Sequence, residues 1–296
     1  MSITRSASHA GSWYNSKSTE LSNQLGTWIE KVDAFHSPAK AIIAPHAGYR
    51  YCGSCSAFAY KQIDPSIVKR IFIFGPSHFS RFSGCALPEA EKYETPFYDL
   101  TVDLEVIEEL KNSKHFESVD LNTDETEHSI EMHLPFIAKI MENHKSQFSI
   151  VPVLVGSLSA KQESLYGQIF AKYLLDSNNL FIISSDFCHW GKRFSFTYYD
   201  NSHQEIFQSI EQLDRMGMKI IEEVNPEKFG TYLKKYGNTI CGRNPILILL
   251  RSIEELIKTD NSKIANLKFL NYSQSQKCRQ MSDSSVSYAA GVLVLN

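Results

Sequence analysis

The stretch Phe181-Ile-Ile-Ser-Ser-Asp-Phe-Cys-His189 decides the fold. A run of apolar, β-branched and aromatic residues that stops at Ser184 has the length and composition of a strand buried on both faces. Working outward, two more runs behave the same way: Ala41-Ile-Ile-Ala-Pro-His46 and Ile71-Phe-Ile-Phe-Gly-Pro-Ser-His78. Each stops at a histidine within a few residues, so three imidazoles are expected just beyond strand ends. In open α/β sheets that edge is where ligands bind. Parallel strands would place all three loops on one side of the sheet. Small residues such as Gly48, Gly75 and Ser185 let their backbones approach a ligand.

Between these runs, strand-like and helix-like periods alternate from end to end, with no repeat, low-complexity block or Pro/Gly-rich linker. That predicts a single α/β domain over residues 1–296, built as an α/β/α sandwich. Leu21, Leu25, Trp28, Ile29 and Val32 form a helical stripe that would face the sheet. Asp124-x-x-Glu127 and Ser202-x-x-Glu205 read as the openings of helices. Pro135 kinks the first of these or restarts it. Asn225-Pro226 and Asn244-Pro245 read as caps followed by first-turn prolines, with Gly237 and Asn238 ending the helix between them. The segment from Ile246 to Ile257 is apolar on nearly every face and predicts a buried helix. Pro152, inside the run from Phe148 to Val155, predicts an edge or a bulge. Leu267–Tyr272 and Val286–Leu295 read as closing strands.

At 43% hydrophobic and 21% charged residues, the chain has the composition of a folded globule rather than a disordered one. A net charge of -3 without a Lys/Arg cluster points away from nucleic acid and anionic membranes, toward small ligands or proteins. The first residues carry no apolar leader, and no stretch approaches the roughly 18 apolar residues of a membrane span. A cytoplasmic protein without membrane insertion is expected, entering the nucleus by diffusion. Six scattered cysteines are then expected as reduced thiols.

A single strand-end histidine commonly does no more than hydrogen-bond a carbonyl; three of them, His46, His78 and His189, suggest ligation or acid/base work. Cys241 precedes the buried helix, two residues from Arg243. A helix start and a guanidinium both favour thiolate, and a thiolate beside imidazoles suits zinc, iron or copper. A small packed thiol explains Cys241 as well. Cys52-Gly-Ser-Cys55 has redox spacing but reads better as structural. On a helix His128 and His133 would point about 140° apart, so they are not a ligand pair. One of them, with Glu131, would support the site from behind. Asp186 is placed to orient an imidazole or hold a ligated water. No nucleotide-binding or hydrolase motif occurs.

With these residues the chain resembles the Memo family, mediators of cell motility. The likeness runs through Ser8-His-Ala-Gly-Ser-Trp-Tyr14, Ala44-Pro-His-Ala-Gly-Tyr49, Gly75-Pro-Ser-His78, Glu127-His-Ser-Ile-Glu-Met-His-Leu-Pro135, Ser184-Ser-Asp-Phe-Cys-His-Trp-Gly191, Thr239-Ile-Cys-Gly-Arg243 and Asp283-Ser-Ser-Val-Ser-Tyr288. That family is similar in fold to the LigB-type class III extradiol dioxygenases, non-haem iron enzymes with two histidines and a glutamate on the metal. The resemblance implies a central mixed sheet, His46 and His78 as metal ligands, His189 with Asp186 in the acid/base place, and Cys241 where the dioxygenases have glutamate. His128, Glu131 and Arg243 would lie behind the ligands. It further implies iron or copper, with zinc as an alternative, no nucleotide, and a redox and signalling role downstream of receptor tyrosine kinases. Partners would be a receptor phosphotyrosine peptide and cytoskeletal regulators. A metal-independent phosphopeptide adaptor and an active dioxygenase are the other activities it allows; the oxidisable thiol at Cys241 counts against the second.

Overall fold

The computed structural model describes residues 2–296. The three quoted runs become neighbouring parallel strands of one nine-stranded sheet. In chain order its strands are β1 (Ala41–Ala44), β2 (Arg70–Pro76), β3 (Cys85–Pro88), β4 (Phe116–Val119), β5 (Ser149–Val155), β6 (Asn179–Ser184), β7 (His189–Trp190), β8 (Ala265–Gln274) and β9 (Ser285–Leu295). Side by side they run β7-β9-β1-β6-β2-β5-β3-β4, with β8 also paired to β9. The core β1-β6-β2-β5 is parallel, whereas β9 and β3 flank it antiparallel. The sheet is therefore mixed, as the family resemblance implied. β6 is buried at every residue, because β1 and β2 cover its edges and helices cover its faces.

The helices that matter for the site are α1 (Ser18–Ile29), α2 (Tyr49–Tyr60), α3 (Leu134–Ile140), α4 (Ala160–Leu175), α5 (Ile206–Glu222), α6 (Pro226–Tyr236) and α7 (Arg243–Thr259). α2 packs on β1 and β9 with α1 and α3 against it; α4 and α7 pack together on β6, α6 joins α7, and α5 joins α6 and β8. One face is closed by rings of Trp28, Tyr49, Tyr60 and Phe136, the other by Phe72, Phe74, Phe170 and Phe181. Among the described residues no helix is long and apolar enough to cross a membrane.

Three helix starts differ from the sequence expectation. Asp120, not Asp124, caps Leu121–Thr126, its carboxylate accepting from the Thr123 N–H at 3.0 Å. Asp124 is instead drawn into the core by Arg5. Glu205 rather than Ser202 opens α5, in a reciprocal cap with Gln208. α7 begins at Arg243, and the Asn244 amide is diverted across the sheet edge to donate to the Gly156 carbonyl at 2.7 Å. Distant partners claim the Asp124 and Asn244 side chains, whereas Ser202 turns to its neighbour His203. Asn225 does cap α6, Gly237 ends it with φ of 62°, and Pro135 lies in the first turn of α3. Pro152 keeps continuous register with β2 and forms no bulge. On its other side the Asp103 N–H reaches the Ile150 carbonyl and pairing with β3 begins only at Leu154, so its missing N–H faces a gap.

α4 crosses α7 at Gly167, where a Cβ would sit 2.5 Å from the Arg251 Cβ and 2.9 Å from its carbonyl carbon. Backbone cannot give way as a flexible side chain tip does. Gly167→Ala is therefore expected to lose about 1–3 kcal/mol through overpacking, against roughly 1 kcal/mol gained in helix propensity. A lower urea midpoint with unchanged slope would show it; a raised midpoint would refute the close approach.

Candidate metal centre

His46 is held between the end of β1 and the start of α2, and only 2% of its surface is exposed. Its backbone N–H donates to Asp186 Oδ1 at 2.9 Å. Its ring Nδ1 lies 2.6 Å from Ser184 Oγ, and that hydroxyl donates its one hydrogen to the Ser129 carbonyl at 2.8 Å. Ser184 can then only accept from the ring, so Nδ1 carries the proton and Nε2 keeps its lone pair. Burial, and then His78 and His128, keep His46 neutral far below the usual imidazole range.

His78 follows β2 and is fastened by Glu127. Glu127 Oε2 accepts from the His78 backbone N–H at 2.6 Å, and Oε1 accepts from its ring Nδ1 at 2.9 Å. Oε1 also takes the N–H groups of His128 and Ser129, each at 2.9 Å. Burial alone would raise this carboxyl, but His78 and His128 overcome it and hold it at about 2. An ionised carboxylate only accepts, which leaves His78 Nε2 free as well.

The third ring is His128. It stacks on His78 with centroids 4.5 Å apart and meets His46 edge-on at 5.4 Å. Its buried Nδ1 lies 3.4 Å from Glu127 Oε1 but makes no hydrogen bond. One nitrogen from each of these three rings lies within 4.8 Å of the other two, a grouping that suits a metal ion. Burial, followed by His78, lowers His128 to about 4. Trp13 covers it from the N-terminal segment at 4.6 Å.

Cys241 brings Sγ within 3.3 Å of His46 Nε2. The thiolate expected from the sequence does not follow: packing around Sγ, then the nearby Asp186, push the thiol well above its ordinary range. The one clear donor to Sγ is the Asp186 N–H at 3.2 Å, while Arg243 turns to a neighbouring cavity. Without an ion to compensate it, a thiolate here would be a poorly solvated charge. A soft sulfur with imidazoles and an orphaned buried nitrogen fits a first-row transition metal, and does not fit magnesium or calcium.

The remaining predicted residues take other positions. Asp186 holds the His46 backbone and does not touch His189; burial raises its carboxyl to about 7. His189 Nδ1 donates to the Phe187 and Thr239 carbonyls at 2.9 and 3.2 Å, leaving its Nε2 unprotonated beside the cluster. Glu131 faces away and binds Arg5, His9 and Tyr14, touching the site only through the His9 ring, 6.0 Å from His128. His133 is in the core on Tyr60; His128 lies in the connection between Thr126 and Glu131, so the two do not share the helix on which their spacing was read. Cys52 and Cys55 are buried free thiols raised by burial. Glu127 and Ser184 were missed. Glu127 reads locally as a capping residue, and its place just before His128 is its one local signal; Ser184 carries none.

A family profile described as Memo-like protein matches residues 5–292. Protein MEMO1 of Danio rerio is 58% identical over 99% of this chain and 98% of its own length, and that of Homo sapiens is 57% identical over the same shares. Protein memo-1 homolog of Caenorhabditis elegans is 51% identical over 99% of this chain and 83% of its own. Among solved structures, an uncharacterized Escherichia coli K12 protein, JW3007, aligns over 84% of this chain and 98% of its own, with 12% identity and a TM-score of 0.46.

Proposed function

Because this chain belongs to the Memo family, we propose that its histidine cluster binds one redox-active transition-metal ion, iron or copper, and that the protein acts through it in redox and motility signalling. The observation that carries the proposal is the pair of fixed tautomers. Ser184 and Glu127 take the Nδ1 protons of His46 and His78 and leave both Nε2 lone pairs free, with Cys241 Sγ 3.3 Å from the first. His46, His78 and Cys241 would hold the ion, with the His128 ring as a further donor. The bound ion would supply reversible one-electron chemistry. Around it, His189 Nε2 accepts a proton, Asp186 keeps His46 in place, and Trp13 limits water on one side. Receptor-derived peptides and cytoskeletal regulators are the proposed partners.

Metal analysis of protein prepared without oxygen or chelator tests this. The parent chain is expected to carry iron or copper in stoichiometric amount, and His46→Ala and Cys241→Ser to lose most of it. Equal metal in the parent and both variants would sink the ligand assignment. Loss in His128→Ala alone would move the ion to the three-histidine cluster.

A further inference from the structure

The two long sides of the sheet are finished differently. At β8 the ladder is broken by a register shift between Phe269 and Asn271, and the Phe269 N–H donates to Glu222 Oε1 at 2.8 Å. A bulge and a capping carboxylate both keep a foreign strand from adding. β4, the edge at the other side, has neither. It pairs only with β3, in parallel register from Cys85–Phe116 to Pro88–Val119, and carries no proline, lysine or bulge. Among the described residues no other backbone hydrogen bond reaches Phe116–Val119. In an edge strand every second residue turns both its N–H and its C=O outward, and Glu117 and Ser118 are exposed.

The surroundings of this edge select what would add to it. Residues 89–127 carry thirteen Asp and Glu against three Lys, a charge of -10 in a chain whose total is -3. Some of these acids are taken: Asp103 by Arg70, Glu109 by Lys172, Asp124 by Arg5 and Glu127 by His78. Glu117 and Glu89 are exposed and, among the described residues, meet no cation, while Asp120 accepts only from the Thr123 N–H and hydroxyl. Glu89 and Asp120 directly follow the last pair of the β3–β4 ladder, Pro88 and Val119, so three carboxylates collect along β4 and at its end. Such an edge repels a second copy of itself and attracts a basic strand.

The start of β4 is apolar instead. Phe116 packs on Tyr166 and Phe170 of α4, with ring centroids 5.3 and 5.9 Å away. Beside His115, which leads into β4, a cavity of about 340 Å³ opens between α4 and the helix Leu104–Asn112, with Leu110, Leu165 and Ile169 in its wall. Where a peptide is bound by strand addition, main-chain hydrogen bonds give affinity and a side-chain pocket of this kind gives specificity.

We propose that β4 is a docking edge for an extended basic segment of a partner protein. The segment adds as an outer strand, seats one aliphatic side chain in the groove beside His115, and sets Lys or Arg against Glu117, Asp120 and Glu89. His115 and Asp120 are five residues apart, so the anchor and the basic residues fall within about six positions of each other. β4 lies three strands from β2, roughly 14 Å from the strand that leads to His78, so docking needs neither the histidine cluster nor an ion in it.

Fluorescence anisotropy of the full-length protein with the labelled peptide acetyl-Leu-Thr-Lys-Val-Lys-Thr-Arg-amide, read alongside hydrogen exchange, tests it. Saturable binding that weakens with added salt is expected, together with slowed exchange of amides within Phe116–Val119. Glu117→Lys combined with Asp120→Asn, which keeps the helix cap, should weaken binding about tenfold, as should serine in place of the leucine of the peptide. Glu30→Lys, exposed at the end of α1, should leave it unchanged. No saturable binding, binding without protection of β4, no effect of the double variant, or equal weakening by Glu30→Lys would overturn the docking edge. Protection of the same amides by raised protein concentration alone would overturn it too, assigning the edge to a second copy of the chain.

Discussion

Arg5→Met is expected to destabilise the protein by about 3–5 kcal/mol, the cost of leaving buried charge without its partner. Arg5 has no exposed surface. Its Nε lies 3.1 Å from Asp124 Oδ1 and its Nη1 lies 2.6 Å from Glu131 Oε2, while Nη2 donates to the Asp124 and Glu127 carbonyls, each at 2.8 Å. Methionine fills much of the volume and satisfies none of these acceptors. A two-residue strand, Thr4–Arg5, sets the guanidinium in place by pairing with Lys92–Tyr93, and the Tyr93 hydroxyl donates to Asp124. Thermal and urea unfolding would measure the loss. Adding Asp124→Asn and Glu131→Gln to Arg5→Met should recover part of it, because neutral amides cost less to bury than unpaired carboxylates. A single variant within about 1 kcal/mol of the parent would mean that water reaches these carboxylates.

Glu127→Gln is expected to lower metal affinity by about tenfold to a hundredfold while the fold persists. Glutamine has the same shape, but only one of its two terminal atoms accepts. With its oxygen at the Oε1 position it keeps the His78 ring and the N–H groups of His128 and Ser129; its NH2 then confronts the His78 backbone N–H, now 2.6 Å from Oε2. The donor-to-donor clash should cost about 1–3 kcal/mol of stability and loosen the loop that carries His78. The neutral amide also withdraws the negative charge that makes the imidazole a better ligand. Metal titration monitored by ligand-to-metal absorption, alongside urea unfolding, separates the two effects. Unchanged affinity would remove Glu127 from any role in orienting the site.

How much was legible in advance depends on the range of the interaction that decides each residue. Asn225-Pro226 and Gly237 were readable because a cap and a left-handed stop act within four residues of chain. Ser202 and Asn244 carried equally good local signals and lost, since Glu205 capped α5 and Gly156 claimed the Asn244 amide. Cys241 shows the same limit in its electrostatics. Its neighbours in sequence favoured thiolate, but the packing around Sγ and the approach of Asp186 favoured the thiol. Glu131 sat at a promising spacing beside His128 and was captured from the far side by Arg5, more than a hundred residues away.

By itself the sequence determined six of the nine strands, all but β3, β4 and β7, and the edge at which His46, His78 and His189 emerge, because apolar runs of strand length and the breakers after them are local properties of the chain. Tertiary structure alone decided which donors meet. It advanced His128 into the cluster, turned Asp186 from His189 to the His46 backbone, and gave Glu127 and Ser184 the task of fixing two tautomers. Those outcomes depend on distances of a few ångströms between segments far apart in sequence. A hydrogen bond or a desolvation cost changes sign over such distances, and no local pattern encodes them.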